Sequence, residues 1–140
     1  MTFKEKSAWV MTFALLVSGT FYLLTVMSRT EHTFVVPAPN GVGIWGGTII
    51  IIAIAIFGHA VAALGNPTDA NEPEDERDRL IAYRTGSVSG FILAALTMIN
   101  LAIYALIQYG HVFFHAQVMA LVISQFVQYL LIIVSYRRGV

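Results

Sequence analysis

The chain contains no cysteine, so disulfides, thiol relays and thiolate metal ligands are all excluded. A four-helix membrane enzyme that shuttles disulfides is excluded with them. Charge is scarce as well: 11% of residues are charged against 57% hydrophobic, a balance that no soluble chain of this length can hide in one small core. The eight basic and eight acidic residues cancel, which removes the basic surface that binding to nucleic acid requires.

The apolar residues fall into four long runs, Ser7–Met27, Gly43–Leu64, Gly86–Tyr109 and His111–Tyr136. Each is close to the roughly 20 residues a helix needs to cross a bilayer's hydrocarbon core. None of the runs contains Asp, Glu, Lys or Arg, so the membrane interior offers no charged group to bind an ion or relay a proton. Lys4 and Lys6 ahead of the first run imitate the front of a signal peptide. The run is longer than a signal's apolar core and no small-residue cleavage site follows it, so it reads as a retained helix.

Four crossings bring both termini and the segment between the second and third helices to one side. Lys4, Lys6, Arg77, Arg79, Arg84, Arg137 and Arg138 fall there, against Arg29 alone on the other, which by the positive-inside rule makes that side cytoplasmic. The outer face is then a turn-rich loop from Ser28 to Val42 and a tight turn at Tyr109, Gly110 and His111 that folds the last two helices into a hairpin. On the inner face, Gly65, Asn66 and Pro67 end the second helix. Asn71 or Asp69 is placed to cap a new one, with Pro73 in its first turn and Glu74, Asp75, Glu76 and Asp78 against the positive end of its dipole. The third helix is therefore expected over 73–109, projecting into the cytoplasm before it enters lipid near Thr85. The others are expected at about 7–27, 43–64 and 111–136, in one domain over 1–140.

Small residues make two flat strips where another backbone can approach: Gly86, Gly90 and Ala94 on the third helix, and Ala55, Gly58 and Ala62 on the second. One strip is expected to pack inside the bundle and the other to face a second copy, and for Gly86 and Gly90 packing inside the bundle is the favoured reading. A polar stripe, Thr97, Asn100, Tyr104 and Gln108, follows one face of the third helix, and Gln117, Ser124 and Gln128 answer it from the fourth. In hydrocarbon these amides must find partners. They form either interhelical glue or a polar cavity for a small neutral solute. His111 and His115 are spaced i,i+4, which can bring two imidazoles to one metal ion, with Glu31 and His32 on the same side. An interfacial histidine pair with no metal is the plainer alternative. His59 lies near the opposite end of its helix, which separates it from this pair and disfavours bis-histidine haem. Glu74, Asp75, Glu76, Arg77, Asp78 and Arg79 form a dense charged cluster that reads as a partner-docking surface or as a solvated helix start.

The segment Glu74-Asp75-Glu76-Arg77-Asp78-Arg79-Leu80-Ile81, between the second and third of four helices, resembles the Asp-Glu-Arg-Asp signature of small uncharacterised bacterial four-helix membrane proteins. The match covers these eight residues and the helix layout. It implies that Asp75, Glu76, Arg77 and Asp78 form a shared surface, and is nearly silent on activity. The chain does not resemble the small multidrug exporters, which rely on a membrane-embedded glutamate in the first helix.

The expectation is thus an all-α, integral membrane four-helix bundle of a bacterial cytoplasmic membrane, multi-pass, with both termini inside. Its role is expected to be that of a non-enzymatic accessory or regulatory protein without a cofactor. Its partners are membrane lipid and either copies of itself or another membrane protein. The alternative is a small carrier or pore along the polar seam, and the third reading is metal binding at His111 and His115.

Overall fold

The computed structural model describes residues 2–30, 35–65, 67 and 75–138. They form four long helices: α1 Phe3–Thr30, α2 Gly41–Leu64, α3 Glu76–Ile107 and α4 Gly110–Arg138. All four are long and apolar enough to cross a membrane, the make-up of a multi-pass membrane protein.

The helix ends follow local chemistry. Thr2 Oγ1 accepts the Glu5 N–H at 3.2 Å and starts α1 well before the apolar run. The Asn40 side chain accepts the Gly43 N–H at 2.9 Å and starts α2. The third helix departs from expectation: it begins at Glu76 rather than near Pro73, because Asp75 is its cap. Asp75 Oδ1 accepts the Glu76 N–H at 2.7 Å, and the Asp78 carboxylate reaches back to the Asp75 N–H in a capping box. Asp69, Asn71, Pro73 and Glu74 lie outside the described residues. At its other end α3 stops at Ile107 instead of Tyr109. Gln108 turns into the left-handed region (φ 59°) and returns its N–H to Tyr104 O at 2.8 Å, an uncommon conformation for a residue other than glycine. Gln108 is therefore a helix cap, not the end of a polar stripe, and α4 starts at once with Gly110.

The helices stand in the order α2, α1, α4, α3. Adjacent members of this row pack closely, and no other pair of helices has close backbone contacts among the described residues. Each contact is antiparallel: Ser7 meets His59, Glu5 meets Arg137, and Ser89 meets Ser124. Both described chain ends and the start of α3 therefore share one end of the bundle, called here the terminal end.

The central position of α1 explains its sequence. It buries Ala8, Thr12, Ala14, Leu15, Ser18, Gly19 and Tyr22 on two faces, and all but Leu15 and Tyr22 are small residues that admit a neighbour on each side. A third of its most apolar stretch is buried, against none of the corresponding stretch of α3. The apolar residues of α3 are therefore largely exposed rather than packed in a core. Exposed aromatics stand towards both ends, Trp9 and Tyr83 at one, Trp45 and Tyr109 at the other, the distribution that headgroup regions favour.

Candidate functional site

The densest chemistry outside the apolar stretches is a clasp at the terminal end. Asp78 accepts from two other helices at once: Lys4 Nζ lies 2.9 Å from its Oδ2, and the Tyr136 hydroxyl donates to its Oδ1. α1, α3 and α4 are thereby joined through one carboxylate. Beside it, Arg137 Nε lies 3.3 Å from Glu5 Oε1, and the Arg137 guanidinium sits over the Trp9 ring at 5.5 Å. Arg77 sits over the Tyr136 ring at 5.9 Å.

This geometry divides the charged cluster. Asp75 is committed to its cap and Asp78 to the clasp, whereas Glu76, Arg77 and Arg79 are exposed. Glu74 lies outside the described residues. Lys4 and Arg137 enter the sequence reading only as charges that set orientation, and Glu5 and Tyr136 carry no site signal in it. The only signal for the four as a group was the topology that collects both termini and the start of α3 at one end.

The two small-residue strips have different surroundings. On α2, a Cβ added at Gly58 would fall 2.4 Å from Val10 Cγ1, and Ala62 is buried. α1 and α2 therefore touch over this strip. Gly46 and Gly47 extend the contact, against Phe21 and Ser18, and Ser18 Oγ donates to Gly47 O at 2.9 Å. On α3 the added Cβ at Gly86 would lie 3.7 Å from Gln128 Nε2, but at Gly90 it would meet nothing within 4 Å, and Ala94 is exposed.

The polar stripe is brought together in part. Asn100 Nδ2 donates to Gln117 Oε1 at 3.3 Å, and Gln117 Nε2 donates to Thr97 Oγ1 at 2.9 Å. Lower on the same interface, Ser89 Oγ donates to Ser124 O at 2.8 Å. Ser89 and the buried Thr85 continue the stripe backwards at helical spacing, a signal the sequence did carry. Tyr104 stacks against Phe113 at 5.2 Å. Asn100 and Gln117 thus bond to each other and to Thr97, and no buried side-chain polar atom among the described residues lacks a partner. The pocket beside Asn100 is about 60 Å³, room for about two waters.

His111 and His115 do not form a pair of free ligands. His115 Nε2 lies 2.9 Å from Pro37 O, and its Nδ1 lies 2.6 Å from the Tyr22 hydroxyl. A carbonyl only accepts, so Nε2 carries a hydrogen, and in the neutral ring Nδ1 accepts from Tyr22. His59 is built in the opposite sense. Its Nδ1 faces Ala55 O at 2.6 Å and its Nε2 faces Ser7 Oγ at 2.7 Å, which places the hydrogen on Nδ1. Each histidine ties α1 to a neighbour, and a metal at His115 would have to displace one of these bonds. Among the described residues no group of three or more potential ligands could hold a metal ion. Glu31 and His32 lie outside them.

No protein-family model matches the chain, and no curated protein or solved structure is significantly similar to it.

Proposed function

We propose that the chain is a non-enzymatic accessory or regulatory protein of a bacterial cytoplasmic membrane, multi-pass with both termini cytoplasmic. In this reading it belongs with the small four-helix membrane proteins that share the Asp-Glu-Arg-Asp signature. It acts by packing against a second copy or another membrane protein, with Glu76, Arg77 and Arg79 as the exposed charges available to a partner.

The observation that carries this reading is the situation of α3. It packs closely on α4 alone, and the strip around Gly90 and Ala94 is open although its small residues suit close approach of another helix. The chemistry that a carrier would keep wet is instead spent on contacts between α3 and α4.

Replacement of Gly90 by Leu tests it. The variant should fold with the thermal stability of the wild type yet lose association, read as mass by light scattering in mild detergent and by cross-linking in membranes. Equal mass and equal cross-linking for wild type and variant would remove α3 as the contact face.

A further inference from the structure

On the opposite edge of the row, an open groove of about 930 Å³ runs over the contact between α1 and α2 towards the terminal end. This is near the upper end of the roughly 300 to 1,000 Å³ typical of small-molecule sites. Its walls are apolar: Trp9 and Phe13 from α1 and Ala53, Phe57 and Val61 from α2. From Lys6 to Phe13 the wall rises about 10 Å along α1 at 1.5 Å per residue.

One charged residue lines the groove, Lys6, at its terminal end. Its ammonium lies 3.8 Å from the position of a Cβ on Gly65, over the last turn of α2. There the carbonyl ends of the helix draw a cation without neutralising it. Lys6 is half-buried, and among the described residues it has no ion pair. A second cation stands close by: Arg137 covers the Trp9 ring that forms one wall, its charge partly balanced by Glu5.

An apolar trough open to the side, with an ammonium that has no ion pair among the described residues where the apolar segment gives way to charge, has the polarity of one kind of molecule. We infer that the α1–α2 groove is a binding site for an anionic glycerophospholipid. An acyl chain lies along Trp9, Phe13 and Phe57, and the phosphate meets Lys6, with Trp9 at headgroup level. Charge complementarity selects this occupant: a zwitterionic lipid carries its own cation beside the phosphate and gains less from Lys6. A second protein helix would fill the trough but leave the ammonium without an anion. The inference rests on residence in a membrane and is independent of any contact through α3.

The test uses the full chain, extracted in mild detergent and examined by native mass spectrometry with equal amounts of phosphatidylglycerol and phosphatidylcholine of identical acyl chains. The wild type should retain phosphatidylglycerol about fivefold in preference, the effect of one basic residue beside anionic headgroups. Lys6→Gln should bring the two lipids level, while Arg84→Gln, which removes an exposed cation from α3 at the same end, should keep the preference. Ala53→Phe should lower retention of both lipids by filling the trough, with an unchanged melting temperature. Equal retention of both lipids by the wild type, or a preference that survives Lys6→Gln, overturns the site. Release of the chain from membranes by alkaline carbonate overturns instead the membrane residence on which it rests.

Discussion

Lys4 Nζ lies 2.9 Å from Asp78 Oδ2, across 74 residues of sequence, and the same carboxylate caps its own helix and accepts from Tyr136. The last residue of the Asp-Glu-Arg-Asp segment thus holds three helices together. A variant that neutralises Asp78 along with its neighbours would confound docking with stability.

The clasp can be measured directly. Lys4 and Asp78 retain 32% and 20% of their side-chain exposure, so the pair is largely but not fully withdrawn from solvent. A double-mutant cycle with Lys4→Gln and Asp78→Asn should give a coupling of roughly 0.5 to 1 kcal/mol, read from reversible unfolding in detergent. Additive effects of the two changes would show that the contact contributes nothing.

Docking is tested away from the clasp. Glu76→Gln together with Arg79→Gln alters two exposed charges while Asp75 and Asp78 keep their roles. Melting should shift by less than about 0.5 kcal/mol equivalent, and co-purifying membrane partners should be lost with their salt dependence. Retention of the same partners by wild type and variant would return these charges to a solvated helix start.

Two glycines should respond oppositely. Gly58→Ala introduces a Cβ only 2.4 Å from Val10 Cγ1 and should destabilise by about 1 to 3 kcal/mol through overpacking. Gly90→Ala enters open space and should be neutral in the isolated chain, or stabilising through its helix propensity. Similar losses at both positions would contradict the row order of the helices.

As neutral rings the two bonded histidines should be of opposite tautomer, with hydrogen on Nδ1 of His59 and on Nε2 of His115, since those nitrogens face Ala55 O and Pro37 O. Nitrogen NMR of labelled protein distinguishes the two forms. Tyr22→Phe, which strips His115 Nδ1 of its partner, should cost about 1 kcal/mol. The same tautomer at both rings would contradict the bonding described.

Orientation rests on seven basic residues at one end against one at the other. In this chain without cysteine, Val35→Cys should react with an impermeant thiol reagent applied to intact cells and Glu76→Cys should not. The reverse pattern would invert the topology.

The sequence by itself determined four helices and their approximate limits, because spans of this length with no charge can satisfy their backbones in lipid only as helices. It also marked the loop from Ser28 to Val42 as turn-rich and set a polar stripe of the third helix against one of the fourth, since turns and stripes are local or near-local properties. Tertiary structure decided which faces meet. Hydropathy places a residue in lipid or in a helix interface equally well, so nothing in Gly58 or Gly90 alone says that Val10 fills the space beside one and nothing fills it beside the other. The same holds for charge. Asp75 and Asp78 both favour a helix start by their local electrostatics, but only the antiparallel placement of α1 and α4 brings Lys4 and Tyr136 to Asp78, and only the packing of α1 on α2 puts Lys6 at the end of an apolar groove.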